Sequence, residues 1–307
     1  MSNNPPASGV RVPWEDVPRG VRARVEDFLG ARVTGAETQN GGFSPAAAVR
    51  LGLQDGRRAF VKALEAAPYP QSVGIYRDEA RIAARLPDAV PAPRLLTHFE
   101  QDGWVVLVFE DVDGRHPRQP WDRAELDRVL RALGEMSAAL TPSPVDAPPI
   151  GEKLAESFTG WRRLLEEDTT GLDPWALANL ERLAELEAGW AEAAKGDTLL
   201  HADVRADNIL LTEEGVFFVD WPHACLGAPW VDLLALLPSV RMQGGPPPHE
   251  LLDDPDPAIT AVLAAITGYF VRQGRRPDPP GLPTVRAFQR AQGVVALEWL
   301  RERLENG

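Results

Sequence analysis

The chain carries a single cysteine, Cys225. An intramolecular disulfide and a cysteine-rich zinc site are therefore both excluded. It also lacks any run of about 18 uncharged apolar residues, which argues against a helix that spans a membrane. The opening stretch, MSNNPPASGVRVPWEDVPRG, has no apolar core of the signal-peptide kind and reads as a loose polar leader. The cytoplasm is the expected compartment. Positive charge is short: 32 Lys and Arg face 45 Asp and Glu, a formal net charge of −13. Non-specific nucleic-acid binding needs a cationic surface to neutralise phosphates, so nucleic acid is not an expected partner. Cationic small substrates are compatible with this balance, although acidity by itself speaks only to solubility. Lysine is the scarcest cation, with only Lys62, Lys153 and Lys195.

What is present suits a globular protein. The 307 residues, 44% apolar and 25% charged, can form one large domain or two modest lobes. No internal repeat or long low-complexity segment is found. Apolar spacing predicts a helix over 14–30. A strand then leads into a glycine turn at Gly41 and Gly42, followed by strands near 46–53 and 58–64 joined at Asp55 and Gly56. A helix is expected over 72–86, with Ile75, Ala80, Ile82 and Leu86 as its apolar stripe. RLLTHFE and WVVLVFE read as two further strands. After Gly114 helices dominate, over 122–140, 152–167, 174–194, 229–241, 257–273 and 283–305. One small hairpin, 209–212 with 216–220, interrupts them. Strands and helices are segregated, which predicts an α+β fold. The boundary falls near 110–115, giving an N-lobe over 1–112 and a C-lobe over 113–307.

Polar residues in apolar frames mark the candidate site. In TLLHADVRADNILL, Asp203 opens a short polar loop and Asn208 closes it, with apolar residues fixing both ends. Asp220 ends VFFV in the same way. In a hairpin, the loop before one strand and the loop after its partner lie at one end, which brings Asn208 and Asp220 together. One carboxylate and one amide oxygen, completed by phosphate oxygens and water, suit Mg2+. Lys62 lies inside the apolar strand AFVKAL. A compact ammonium there suggests a point contact with a phosphate, and Glu79 on the next helix is its expected partner, with Asp78 the nearest rival.

The order of these parts resembles the protein-kinase-like fold: glycine turn, strand lysine, helix glutamate, hinge, H-x-D-x-x-x-x-N, then Asp after a strand. HADVRADN, FVDW and PWVDLLAL are more closely similar to the aminoglycoside phosphotransferase family of small-molecule kinases, and VPAPRLL and LVFEDVDG extend the likeness over roughly residues 35–240. The resemblance implies a bilobal fold, with a small, mostly antiparallel β N-lobe and a larger helical C-lobe. It implies transfer of the γ-phosphoryl group of ATP or GTP to a hydroxyl of a small molecule. Asp203 would accept or orient the hydroxyl proton. Asn208 and Asp220 would hold Mg2+. Lys62, braced by Glu79, would contact the α- and β-phosphates. Backbone amides at Gly41, Gly42 and Phe43 would cover the phosphates, and the base would meet the Glu110 carbonyl and the Val112 amide. Arg205 is assigned to charge on the transferring group, and Asp232 to bracing the catalytic loop.

Departures from the pattern are Ala202 where glycine is commoner, and a glycine turn without G-x-G-x-x-G. His201 reads as a packed brace for the loop. The acidic run at Glu250, Asp253, Asp254 and Asp256 reads as a solvated loop. The last helix, with Glu298, Glu302 and Glu305, reads as an amphipathic core helix. The family's best-known acceptors are aminoglycoside-type and other cationic antibiotics. Kinases of amino alcohols, homoserine or sugars share the scaffold, so the fold does not name the acceptor. A nucleotide-binding regulator without transfer activity is the reading from another class. The absence of an A-P-E element after Asp220 argues against a protein kinase.

Overall fold

The computed structural model describes Pro5 and residues 9–306. Most of the leader up to residue 8 lies outside the described residues. A short 3-10 turn, Trp14–Asp16, precedes helix α1 (Arg19–Leu29). A five-stranded antiparallel sheet follows, built from β1 (Val33–Thr38), β2 (Ala47–Leu53), β3 (Arg58–Glu65), β4 (Leu95–Gln101) and β5 (Trp104–Glu110) in the order β1-β2-β3-β5-β4. Helix α2 (Pro70–Ala83) crosses between β3 and β4.

Strand periodicity explains how the sheet is covered. Side chains alternate across a strand. Ala59, Val61 and Ala63 of β3 pack on one face with Trp14, Val21 and Val25. Phe60 and Leu64 pack on the other with Tyr76 and Ala80 of α2. Lys62 shares that second face, in register with Ala48 and Leu107. The buried side of α2 is Val73, Tyr76, Glu79, Ala80 and Ala83, with Ile82 buried in a separate cluster. Ile75, assigned from spacing to the stripe, is instead 40% exposed.

The helical part contains α3 (Arg123–Ala139), α4 (Ile150–Lys153), α5 (Gly160–Leu164), α6 (Pro174–Ala178), α7 (Leu180–Ala188) and α8 (Trp190–Ala193). It continues with α9 (Val231–Met242), α10 (Pro257–Gln273) and α11 (Val285–Asn306). Helix α10 is the hub; Val262, Leu263, Ala264 and Ala265 are fully buried. Its start is set by Asp256, whose carboxylate accepts from the Ala258 N–H at 2.8 Å, and by Pro257 at the first helical position. At Gly268 it meets α5 so closely that a Cβ there would lie 2.7 Å from both Trp161 and Glu187. Glu187, wholly buried, accepts the N–H groups of Trp161 and Arg162 at 3.0 Å each, satisfying the open N-terminus of α5.

Two long predicted helices break into pieces. The 152–167 segment becomes α4 and α5, and 174–194 becomes α6, α7 and α8. Short segments can turn Trp161, Leu164, Ala176, Leu183 and Trp190 toward one core; a straight helix of the same length could not. The first strand lies at Val33–Thr38, further from the glycine turn than expected. Two hairpin-sized sheets replace one. β7 (Ile209–Leu211) pairs with β8 (Val216–Phe218), while β6 (Thr198–Leu200) pairs with β9 (Cys225–Gly227). Among the described residues, no helix is long and apolar enough to cross a membrane.

The segment before α1 ties down two loops. The Val10 N–H donates to Gly281 O at 3.0 Å and the Val12 N–H to Ala46 O at 3.4 Å. The Arg11 guanidinium between them donates to Ser44 O at 2.8 Å and to Gly41 O.

Candidate active site

The two small sheets clamp the polar loop. β6 delivers it, β7 leaves it, and β8 and β9 bracket residues 219–224. Ile209 opposes Phe218, and the Val219 N–H donates to Asn208 O at 2.9 Å. Asp220 is therefore the next residue beyond the Asn208 backbone, as hairpin geometry requires. Asp220 takes a left-handed backbone, φ 67°, and Ala202 does the same at 61°. Such turns aim side chains that an extended loop would not, at a cost of order 1 kcal/mol for a residue with a Cβ.

Asp232, at the start of α9, anchors the loop entrance. Its two carboxylate oxygens accept the N–H groups of His201 and Ala202, each at 2.8 Å. Burial raises its pKa to about 6, and those two hydrogen bonds oppose the rise. His201 is fully buried beside Trp221, ring centroids 4.6 Å apart. Its Nε2–H donates to Val219 O at 2.9 Å and its Nδ1 accepts from the Asp203 N–H at 3.3 Å. That pattern needs a neutral ring, and burial lowers its pKa to about 4. His201 is a brace, as expected.

Asp203 and Arg205 meet at 2.5 Å. Arg205 also grips Asp207 with two hydrogen bonds, at 3.0 and 2.9 Å. Burial alone would lower the Arg205 pKa, but the charges of Asp203 and Asp207 outweigh it and the guanidinium is held firmly protonated. For Asp207 burial works upward, and Arg205 overrides it to give a lowered pKa. Asp207 is the residue that sequence reasoning passed over. Its signal was the spacing of two residues from Arg205, which permits a bidentate pair.

Asn208 is 2% exposed. Its Nδ2 donates to Asp203 O at 2.9 Å and Asp203 Oδ2 at 3.1 Å. With the amide nitrogen spoken for, Oδ1 is left as an acceptor. Lys62 contacts Glu79 at 2.6 Å and also touches Asp220, with side-chain exposures of 13%, 4% and 37% for the three. Burial lowers the Lys62 pKa; Glu79 resists that shift by charge and hydrogen bond. The rival Asp78 pairs instead with Lys153, at 2.6 Å.

One cavity of about 1000 Å³ joins these groups. Gly41, Gly42, Phe43, Lys62, Glu79, Glu110, Val112, Asp203, Arg205 and Asp220 all line it; Asn208 lies behind that surface. Gly42 has φ 83°, which glycine adopts without strain. At the 110–113 segment, Arg50 donates to Asp111 at 2.7 Å and to Val112 O at 2.5 Å, while Arg58 meets Asp111 at 3.1 Å. These bonds stiffen the connection. The 250–256 acidic residues and Glu298, Glu302 and Glu305 are exposed and do not line the cavity.

No three His, Cys, Asp or Glu side chains form a metal-binding group among the described residues. The Asp220 carboxylate and the Asn208 amide oxygen supply two oxygen donors, which fits Mg2+ when a nucleotide and water provide the rest.

Comparison with known proteins agrees with this geometry. Residues 37–266 match the phosphotransferase enzyme family. An aminoglycoside 3'-phosphotransferase from Streptomyces fradiae is 27% identical over 188 residues, covering 50% of this chain and 64% of that protein. The match thus spans less than two thirds of the curated relative. The solved structure of a thermostable mutant of aminoglycoside phosphotransferase APH(4)-Ia, in ternary complex with ADP and hygromycin B, superposes with a TM-score of 0.61 at 16% identity, covering 92% of this chain and 98% of that one. A choline/ethanolamine kinase family protein from Mesorhizobium loti gives 0.60 at 18% identity, covering 92% and 94%. At such identities these two structures show a shared fold.

Proposed function

The chain belongs to the phosphotransferase enzyme family, and from that premise we propose that it moves the γ-phosphoryl group of ATP or GTP to a hydroxyl of a small molecule. The observation that carries this reading is the convergence on one cavity of the Lys62–Glu79 pair, Asp203 and Asp220, with Asn208 directly behind. The ADP and hygromycin B in the related ternary complex support a nucleotide donor and a hydroxylated acceptor.

In this reading the base docks against the stiffened segment at Glu110 and Val112. Lys62 contacts the α- and β-phosphates, and the Gly41–Phe43 backbone covers them. Asn208 and Asp220 would hold Mg2+, which supplies charge neutralisation on the phosphates. The acceptor oxygen attacks the γ-phosphorus, the bond from phosphorus to the β-bridging oxygen breaks, and the hydroxyl proton passes to the Asp203 carboxylate. Arg205 orients Asp203 and places positive charge beside the transferring group. Asp207 keeps that guanidinium in place.

The test is transfer of labelled γ-phosphate to a panel of alcohols with each nucleotide and magnesium. Asp203→Asn serves as the blank. Nucleotide binding without transfer to any acceptor would favour a regulator and sink the enzymatic reading.

A further inference from the structure

Beyond Asp203 the cavity reaches a wall made by residues 154–158 and the last two helices. Leu154, Phe158, Tyr269, Phe270 and Phe288 line it. Tyr269 lies 6.2 Å from Phe158 and 5.2 Å from Phe270 between ring centroids. Phe43 meets Phe288 edge to face at 5.3 Å, and the Arg205 guanidinium sits over both rings at 5.4 and 5.8 Å. Because Arg205 also grips Asp203, this aromatic wall stands beside the proposed catalytic carboxylate.

Every carboxylate lining the cavity is already engaged. Glu79 and Asp220 contact Lys62, Glu110 contacts Arg94, Asp111 contacts Arg50 and Arg58, and Asp203 and Asp207 contact Arg205. None belongs to the aromatic wall. A molecule with several ammonium groups entering there would lose hydration against the rings and reach only carboxylates that already face a cation, which is unfavourable.

Among the described residues the wall offers open polar groups at Ser157 and Gln292, of which Gln292 is the more buried. Gln292 is 2% exposed and lines the cavity, and its carboxamide has no hydrogen-bond partner among the described residues. Gln289, one helical turn earlier, is already used: it donates to Tyr269 Oη at 3.2 Å and accepts from Arg286 at 2.7 Å. The Gln292 amide opens on the cavity, and one ligand group that donates and accepts would pair with it.

Resting on the phosphotransferase reading, we propose that the acceptor is a ring-bearing, largely apolar alcohol with at most one positive charge, held on the aromatic wall and read by Gln292. Oligoamines are rejected. The site is then selective by what it lacks as much as by what it contacts.

Calorimetric titration of the full chain with the magnesium complex of AMP-PNP tests this. The neutral probes are a flavonol and an uncharged macrolactone; the oligoamines are spermidine and a tetra-amino disaccharide. A neutral probe should bind, and Gln292→Leu should weaken it at least tenfold. Gln292→Glu, which introduces a carboxylate, should improve oligoamine binding at least tenfold. Oligoamines that outbind both neutral probes on the wild-type chain and weaken steeply with salt would overturn the proposal. So would failure of both neutral probes to bind. Nucleotide binding is read first in each titration. If it is intact while the neutral probes fail, only the acceptor class is wrong; if it is absent, the phosphotransferase reading itself falls.

Discussion

Glu79 of α2 holds Lys62 of β3 at 2.6 Å, and both side chains are nearly closed to solvent. Burial already lowers the Lys62 pKa, and Glu79 is the main force opposing that. Glu79→Gln removes the opposing charge, so the Lys62 pKa should fall further. The alkaline limb of kcat/KM for the nucleotide should then move to lower pH, with a loss of about tenfold or more in kcat/KM at neutral pH. A pH–rate profile identical to wild type would contradict this.

Asp203→Asn keeps the shape of the loop and removes the base. General base catalysis contributes about 10²–10⁴-fold, so kcat should drop by that order. Nucleotide KM should change far less. Steady-state kinetics decides the matter, and a kcat within twofold of wild type would show Asp203 to be misassigned.

The buried pair at the loop entrance makes opposite demands on pH. Asp232 has its pKa raised from 3.8 to about 6 in the folded chain. Its stabilising share is full below pH 3.8 and is lost as pH rises through 6. His201 has its pKa lowered from 6.5 to about 4. Its share is full above pH 6.5 and is lost as pH falls through 4. The two slopes offset each other between pH 4 and 6. In Asp232→Asn only the histidine slope persists, so melting temperature should fall more steeply with acid than in wild type. Parallel curves would refute the linkage.

Ala202 sits at φ 61°. Ala202→Gly relieves a strain of about 1 kcal/mol or more, against a smaller cost from the freer unfolded chain. A melting temperature a few degrees higher is expected, with kcat/KM within about twofold. Destabilisation would mean that the methyl group contributes packing that outweighs its backbone strain.

Gly268→Ala tests the hub. Alanine gains about 1 kcal/mol in helix propensity. Overpacking against Trp161 and Glu187, with 2.7 Å approaches, costs typically 1–3 kcal/mol. Displacing Glu187 would also uncap α5. Net destabilisation in a denaturant titration is the expected sign.

Strong local patterns were legible in the sequence. WVVLVFE is β5 over its full length, and 257–273 coincides with α10. The alignment of Asn208 with Asp220 followed from hairpin geometry, and the Lys62–Glu79 pair from a lysine inside an apolar strand that needs a carboxylate from the next helix. Other parts depend on contacts distant in sequence. β6 and β9 have three residues each and pair Thr198 with Gly227, too short for any alternation to register. The broken helices at 150–193 follow the shape of α10, which local periodicity cannot report. The aromatic wall draws on residues 43, 154–158 and 269–292, and only folding reveals that they share one surface.

The stretch from Val10 to Val12 fastens a rim on each side of the cleft: Gly41 and Ser44 at one, Gly281 at the other. A hinge opening that widened the mouth would have to stretch this tether. Severing the backbone just ahead of Trp14 would release both rims together, so a single proteolytic nick there reaches the entrance of the cleft from two directions.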